Sequence, residues 1–359
     1  MDEDKTVVTL EGRSRTLYRR DHIKSDGRKV SLYGFRSPSG IVGPELVGSG
    51  NHSSELRRDP LRNTWAIYSP HRQLRTFMPA TAADPLAPER PGSAPTEIPF
   101  SQFELAVFDN QFSSLQADGG ASKPSQWATG PAYGRCEVVV YTAESEGSLQ
   151  SIGQERRVLL IEALIDRYKS LFEGGAAYVL PFENRGQEVG VTLPHPHGQI
   201  YAFAIVPEPQ AAAARAFAAG YDLVADHASW DGAFDIASDD GFVAFSPPFA
   251  RFPFETWIMP TRPCRGPWDL NADGIEALAR MLGDIPRRLD SLFGAPMPYM
   301  MSFQAAPRDA ADEFQFTVQF FPIMRDAGRL KYLASVEQFT GVFTVDVVPE
   351  QAAERLRAL

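Results

Sequence analysis

The chain has few cysteines and no long apolar run, which argues against a disulfide-rich protein and against a membrane-spanning one. The two cysteines, Cys136 and Cys264, lie far apart, and neither has a second cysteine at C-x-x-C spacing. We therefore expect buried thiols in a reducing compartment and no disulfide framework. No apolar stretch approaches the length of a membrane span, and the acidic start of the chain is unlike a secretion signal. These features predict a cytoplasmic protein without a membrane partner.

Positive charge is also in the minority. Lys and Arg number 35 against 45 Asp and Glu, which gives a formal net charge of -10. Such a surface disfavours nucleic acid as a partner, although a local cluster of arginines can still bind a small phosphate ligand. The chain also lacks a G-x-x-x-x-G-K-[ST] loop and a dinucleotide-type glycine fingerprint, so it has no obvious cradle for a nucleoside triphosphate.

The spacing of apolar residues predicts an α+β protein. Long helices are predicted at 151–173 and 269–293, the second with Asp269 as its cap, and shorter helices at 207–219 and 349–359. β-Branched or alternating runs predict strands at 6–10, 30–35, 65–68, 103–108, 136–141, 178–182, 241–245, 254–259, 297–303 and 315–321. A further strand is predicted to follow the loop at 190–197 and to continue through Val206.

Both halves of the chain read strand, strand, helix, strand, strand. This order predicts a duplicated α+β fold with two antiparallel-sheet halves, each carrying a long helix. We divide the chain into an N-terminal extension of residues 1–50, a catalytic N-terminal domain of residues 51–206 and a C-terminal domain of residues 207–359. The extension is polar and weakly patterned, and we expect it to wrap on the main body.

Two of the six histidines stand two positions apart in the segment 194–199, Pro-His-Pro-His-Gly-Gln. In an extended segment His195 and His197 share a face, and the two prolines restrict the backbone around them. A neutral imidazole attacks phosphorus near neutral pH without first losing a proton. The amide of Gln199 can hydrogen-bond a phosphate oxygen where charge develops. The segment is therefore a candidate nucleophile with its supporting groups.

The histidine pair by itself leaves other interpretations open. His-x-His is also a metal-binding spacing on a strand, and the pair can arise by chance in a loop. Nucleophile and metal ligand are about equally favoured until the neighbouring residues are considered.

Those neighbours resemble galactose-1-phosphate uridylyltransferase, a branch of the histidine-triad superfamily. The resemblance runs from Phe-Glu-Asn-Arg-Gly at 182–186 and Gly-Val-Thr-Leu at 190–193 into the histidine segment. It extends to the segments at 58–65, 69–75, 108–112, 252–256, 331–333 and 349–359, and it covers roughly residues 55–359.

The resemblance implies a ping-pong transfer of UMP between a UDP-sugar and a sugar 1-phosphate, with galactose 1-phosphate by default. It implies that His197 attacks the α-phosphorus to form a uridylyl-histidine, and that the backbone of His195 orients it. It implies substrate contacts for Gln199 and Thr192 on the phosphates with Asn184 beside them, Asn110 on the nucleoside, Lys331 and Glu337 on the sugar and its phosphate, and Arg72 and Arg75 across the interface of a homodimer.

The metal-binding positions of the family are changed in this chain. Many members hold zinc through two cysteines, a histidine and the first histidine of the segment, but here His195 is accompanied by Asp84, Ala87 and Ser145. Members with a second metal use three histidines and a glutamate, and the residues that stand at or near those positions are Gln304, Thr317, Gln319 and Ala213. We predict no metal at either site and no other cofactor.

The sugar and ribose positions differ as well. Val336, Gln338 and Phe343 stand where other residue types meet the hexose, and Gln111 replaces an acidic residue beside Asn110. These changes leave the histidine chemistry intact but open the choice of nucleotide and sugar. The alternatives are a related nucleotidyltransferase or nucleotide-sugar phosphorylase, a nucleotide hydrolase, and a non-catalytic nucleotide-binding protein. The last is disfavoured, because binding alone does not require His197.

Overall fold

The computed structural model describes residues 7–13, 15–48, 53–74, 84–117 and 130–359 and has a mixed α/β structure. The strands are β1 (Val7–Leu10), β2 (Leu17–Ile23), β3 (Lys29–Gly34), β4 (Glu55–Asp59), β5 (Thr64–Tyr68), β6 (Leu105–Asp109), β7 (Gly130–Pro131), β8 (Gly134–Val140), β9 (Tyr178–Arg185), β10 (His197–Phe203), β11 (Asp235–Asp239), β12 (Phe242–Phe245), β13 (Thr256–Pro260), β14 (Tyr299–Gln304), β15 (Thr317–Pro322), β16 (Met324–Asp326) and β17 (Arg329–Leu330). The α-helices are α1 (Gln154–Glu173), α2 (Glu208–Ala218), α3 (Leu223–Ala228), α4 (Ala272–Phe293), α5 (Ser335–Thr340) and α6 (Pro349–Arg357).

Twelve strands form one antiparallel sheet, in the order β1-β2-β3-β6-β8-β10-β9-β14-β15-β13-β12-β11. β9 pairs with β14 near the middle, so strands from the two halves of the chain join edge to edge. Two smaller sheets, β5-β4-β7 and β16-β17, lie outside it. The large antiparallel sheet confirms that part of the predicted fold class.

The N-terminal fifty residues contribute three strands to this sheet. β3 pairs with β6, and β2 and β1 continue the sheet to its edge. Val30, Leu32 and Tyr33 on β3 are fully buried. This part of the chain is therefore folded into the core, which its polar composition did not indicate.

The main hydrophobic core lies between the sheet and the two long helices, α1 and α4, which contact each other. α1 buries apolar residues such as Ile161, Leu164 and Tyr168, and α4 buries Leu278 and Leu282. Both helices cover the same buried cluster, which confirms the helical spacing read from the sequence. A second, smaller buried cluster packs against the opposite face of β3, β6 and β8.

The start of α4 corrects a prediction. The helix is capped by Asn271, whose side chain accepts a hydrogen bond of 2.9 Å from the Gly274 amide. Asp269, the predicted cap, lies in a short 3-10 turn, and its carboxylate accepts hydrogen bonds from Arg265 instead. Asp and Asn are both good caps, so the choice between them depends on the turn that precedes the helix.

Two predicted strands differ at their ends. The predicted strand at 254–259 begins at Thr256, because Phe254 has a φ of 56°, which is left-handed backbone. The strand that was expected to continue through Val206 ends at Phe203. Among the residues described, no helix is long and apolar enough to cross a membrane.

Candidate active site

The histidine segment enters the sheet at the start of β10, between β8 and β9. Ile200 and Ala202 on this strand are buried in the core beneath α1 and α4. Because side chains alternate along a strand, His197 and Gln199 lie on the opposite face. The local pattern therefore places the imidazole and the amide side by side, away from the helices.

The ring of His197 is oriented by the backbone two residues before it. Its Nδ1 lies 2.7 Å from the carbonyl oxygen of His195. A carbonyl oxygen only accepts hydrogen bonds, so Nδ1 carries the hydrogen and Nε2 carries the lone pair of the neutral ring. This is the contact that the family resemblance implied between the two histidines.

The glycine that follows His197 is required by close packing. A β-carbon on Gly198 would lie 2.3 Å from the hydroxyl oxygen of Tyr141 and 2.8 Å from the carbonyl oxygen of Phe182. The first atom ends the side chain that follows β8 and the second is backbone of β9, so the space beside Gly198 is filled from both sides. Only glycine allows β10 to lie at this depth.

The side chain of His195 is fully buried and is held at both ring nitrogens. Nδ1 lies 2.7 Å from Oδ2 of Asp84, and Nε2 lies 2.8 Å from the carbonyl oxygen of Thr142. Burial opposes ionisation of Asp84, but hydrogen bonds from His195, the Leu86 amide and Ser145 outweigh it and lower the pKa of this carboxyl. Asp84 is thus a carboxylate at neutral pH.

His197 lies at the meeting point of two cavities. The larger has a volume of about 380 Å³ and is lined by Asn110, Thr192 and Gln199 together with apolar side chains. The smaller, of about 260 Å³, is lined by Asn184. His195 also lines the smaller cavity, so six of the ten residues predicted to form the site line these two adjoining cavities.

A tight turn presents Asn110 to the larger cavity. Its side-chain oxygen accepts a hydrogen bond of 2.8 Å from the Phe112 amide. Arg72 supports the same turn from outside, since its guanidinium donates to the Phe112 carbonyl oxygen at 2.7 Å. Gln111 also lines this cavity. The other predicted arginine, Arg75, lies outside the described residues.

The smaller cavity includes a buried acid that the sequence did not single out. Glu183 lies next to Asn184 on β9 and accepts a hydrogen bond of 2.8 Å from the Tyr299 hydroxyl. Burial raises the pKa of the Glu183 carboxyl to about 7, although hydrogen bonds oppose the shift. Glu183 is part of the segment 182–186 that carries the family resemblance, but its protonation depends on its burial, which the sequence does not show.

Lys331 and Glu337 form a separate ion pair. Nζ of Lys331 lies 3.0 Å from Oε1 of Glu337, and Thr344 contacts both side chains. The hydrogen bond from Thr344 keeps the pKa of Glu337 well below its ordinary value. Neither charged residue is among those that line the two cavities at His197. Within the described chain, these two predicted site residues therefore lie away from His197.

Comparison with known proteins places these features in a family. Residues 46–207 match the model for the N-terminal domain of galactose-1-phosphate uridyl transferase, and residues 219–359 match the model for its C-terminal domain. A galactose-1-phosphate uridylyltransferase of Thermotoga maritima is 34% identical over 319 residues, which cover 84% of this chain and 98% of the relative. The enzyme of the same name from Streptomyces lividans is 29% identical over 93% of this chain and 95% of its own.

This chain belongs to the galactose-1-phosphate uridylyltransferase family. A solved structure described as a uridylyltransferase superposes with a TM-score of 0.76 at 26% identity, covering 85% of this chain and 97% of that one. The resemblance inferred from the histidine segment and its neighbours is confirmed along nearly the whole chain.

The positions of the second family metal contain hydrogen-bonded amides and hydroxyls. Gln304 donates to the Ser302 hydroxyl at 2.8 Å, and Gln319 donates to the Thr317 hydroxyl at 3.0 Å. Gln304, Thr317 and Gln319 line a third cavity, of about 570 Å³, together with Ala213. Across the described part of the chain, His, Cys, Asp and Glu form no group of three or more suited to a metal ion.

A buried charge network beside the larger cavity was also missed from the sequence. Glu97 lines the cavity and is contacted by Lys24 at 3.0 Å and by Arg28 at 2.6 Å. Both cations come from the N-terminal fifty residues. The only available signal was their positive charge, which at the sequence level is indistinguishable from that of a surface side chain.

Proposed function

We propose that this chain transfers UMP between a UDP-sugar and a sugar 1-phosphate, galactose 1-phosphate by default, through a covalent intermediate on His197. Nε2 attacks the α-phosphorus, a P–N bond forms, and the bond to the bridging oxygen breaks, so that the first sugar 1-phosphate leaves. A phosphate oxygen of the second sugar 1-phosphate then attacks the same phosphorus. The P–N bond breaks and a new UDP-sugar is released.

One observation carries this proposal: His197 lies between two cavities, with the Nδ1 hydrogen bond to His195 that leaves the lone pair on Nε2. A transfer with two alternating substrates needs a nucleophile that both the nucleotide sugar and the sugar 1-phosphate can approach. The family membership supports the same reaction, because the two relatives described above carry the name of that enzyme.

The polar residues around His197 support an arrangement of the substrate. We assign the nucleoside to the larger cavity, where Asn110 lies among apolar side chains. Gln199 and Thr192 line that cavity together with His197 and are assigned to the phosphates, with Asn184 in the smaller cavity. Lys331 and Glu337 keep their predicted role toward the sugar and its phosphate.

A labelling experiment tests the reaction. Wild-type protein incubated with radiolabelled UDP-glucose should retain acid-labile, base-stable label, and His197→Ala should retain none. His227→Ala is the control, since this histidine pairs with Asp235 on β11 and should leave labelling unchanged. A screen of sugar 1-phosphates should then identify the acceptor that discharges the label.

Other outcomes of the same experiment would point to the alternatives. Label from ADP-glucose but not UDP-glucose indicates a related transferase or phosphorylase with another nucleotide. Free UMP released without any acceptor indicates a hydrolase. No label from any nucleotide sugar, with unchanged nucleotide binding in His197→Ala, indicates a binding protein and overturns the proposal.

We also propose a homodimer in which Arg72 and Arg75 reach phosphate in the partner's site. Association is supported by four exposed apolar side chains that lie close together in the sequence: Tyr332, Val336, Phe339 and Val342 are between 50% and 76% exposed. Within one chain Arg72 donates to Phe112, so its proposed role requires that hydrogen bond to be exchanged for one to phosphate. Sedimentation at micromolar concentration tests the association, and a single monomeric species would contradict it.

We propose further that neither family metal site holds a metal in this chain. The first has one imidazole whose two nitrogens are already hydrogen-bonded, and the second has amides and hydroxyls, which are poor zinc ligands. This donor set does not fit zinc. Activity should survive dialysis against a chelator without loss.

The strand order supports a proposed duplication. In the sheet, β3-β6-β8-β10-β9 is mirrored by β11-β12-β13-β15-β14, and α1 and α4 occupy the same place in the two series. We propose two histidine-triad-like units in the segments 51–206 and 207–359, with β3 added to the first by residues 1–50.

A further inference from the structure

The fully buried ring of His195 faces two groups that accept hydrogen bonds. The carbonyl oxygen of Thr142 lies 2.8 Å from Nε2 and can only accept. Oδ2 of Asp84 lies 2.7 Å from Nδ1, and Oδ1 of the same carboxyl accepts a bond of 2.9 Å from the Leu86 amide. Hydrogen bonds keep the pKa of Asp84 below its ordinary value, so this carboxylate cannot donate either. A neutral imidazole has one N–H, and that single hydrogen cannot satisfy two acceptors.

We infer that His195 is held as an imidazolium, paired with the Asp84 carboxylate and capped by the Thr142 carbonyl, and that this clamp positions the nucleophile His197. Asp84 is thus a positioning residue, which acts through His195 and does not touch the substrate. The kinetic part of this inference rests on the proposed transfer reaction, whereas the protonation state does not.

The clamp acts on the peptide that orients the nucleophile. Fixing the His195 ring at both nitrogens fixes its backbone, and the carbonyl of that residue accepts the Nδ1 hydrogen of His197. The next carbonyl, of Pro196, accepts a hydrogen bond of 3.1 Å from the Tyr141 amide. Three successive residues, 195–197, are therefore held through side chain or backbone where β10 begins.

The same geometry explains how the fold can do without zinc. A metal ligand must offer a lone pair, and an imidazolium has none on either nitrogen. Asp84 stands at a position where the family resemblance places a zinc-binding cysteine. In this chain one carboxylate and one backbone carbonyl hold the ring that a metal would otherwise hold.

A spectroscopic experiment tests the protonation state directly. Protein labelled with ¹⁵N-histidine is observed at neutral pH by long-range ¹H–¹⁵N correlation, with His195→Asn used to assign the resonances. Wild type should give the pattern of a ring protonated on both nitrogens, and Asp84→Asn should convert it to a neutral ring. A neutral pattern in wild type would overturn the inference, whether or not the protein transfers UMP.

A kinetic experiment tests the positioning role. Asp84→Asn should lower kcat by about 10- to 100-fold, by analogy with the carboxylates that orient metal-binding histidines, with little change in the KM for the nucleotide sugar. Asp235→Asn is a matched control, because Asp235 pairs with His227 at 2.8 Å and neither residue lines the cavities at His197. Equal effects of the two substitutions on kcat would contradict the role of Asp84.

Metal analysis completes the test. Protein equilibrated with zinc and then desalted should retain no zinc that depends on His195. Stoichiometric zinc in wild type that is lost in His195→Asn would overturn the clamp, because the ring would then be a ligand. If wild type lacks transfer activity altogether, the proposed function fails, while the spectroscopic and metal results still decide the state of His195.

Discussion

At the residue scale, the site depends on the orientation of the His197 ring and on the absence of a side chain at Gly198. His197 is aimed by a backbone carbonyl, and its neighbour Gly198 allows the strand to approach Tyr141 and Phe182. The histidine is the nucleophile, whereas the glycine, which has no β-carbon, allows β10 to pack closely enough to hold that histidine in place. A change at the second residue should therefore disturb the first without removing any functional group.

Gly198→Ala should lower activity at least tenfold and reduce the free energy of unfolding by about 1–3 kcal/mol. The new methyl group overlaps the Tyr141 hydroxyl and the β9 backbone, which must shift to admit it. Turnover and urea denaturation measure the two effects. Gly130→Ala is the control, because a β-carbon there meets no atom within 4 Å, and wild-type behaviour of Gly198→Ala would refute the packing argument.

At the element scale, local sequence alone determines which side chains of β10 are buried, whereas the start of α4 also depends on the preceding turn. The alternation on β10 alone separates the buried Ile200 from the functional His197 and Gln199. For α4, the apolar spacing predicted the helix, but the predicted cap, Asp269, lies two residues before the observed one. The 3-10 turn at 267–269 places Asn271, and not Asp269, at the helix start.

Asn271→Ala should reduce the free energy of unfolding by about 1 kcal/mol, because the Gly274 amide loses its acceptor. Chemical denaturation measures this change. Asn271→Asp keeps a side-chain oxygen at the cap and should stay close to wild type. An unchanged free energy of unfolding in Asn271→Ala would exclude Asn271 as the cap. Asp269→Ala is not a test of capping, because Asp269 also binds Arg265 and its loss destabilises the protein for that reason.

At the scale of the whole molecule, the two halves meet where β9 pairs with β14. Glu183 on β9 and Tyr299 on β14 form a buried hydrogen bond at this junction, beside the smaller cavity. The environment that raises the pKa of Glu183 to about 7 exists only when both halves are folded together. Stability at this junction should therefore depend on pH.

The free energy of unfolding should fall by about 3 kcal/mol through this group as pH rises from about 4.5 to 7. The folded state binds the Glu183 proton more tightly than the unfolded state, so the contribution is complete below the unfolded pKa and is lost above the folded one. Glu183→Gln should flatten that part of the pH profile, measured by urea denaturation. Parallel profiles for the two proteins would contradict the prediction.

The amino-acid sequence by itself determined the periodicities and the identity of the nucleophile candidate. Alternation and helical spacing arise from backbone geometry, so the long helices and most strands could be read directly from the pattern. The histidine segment also stands out locally, and its family was recognisable from residues that lie close together in the chain.

Only the tertiary structure decided which distant residues meet. Asp84 approaches His195 across 111 positions of sequence, and Lys24 reaches Glu97 across 73. The burial of Glu183 and the place of β3 in the main sheet are likewise products of long-range packing. Such contacts leave no periodic signal, because the chain between them has no fixed length or pattern, and their electrostatic effects appear only when water has been excluded.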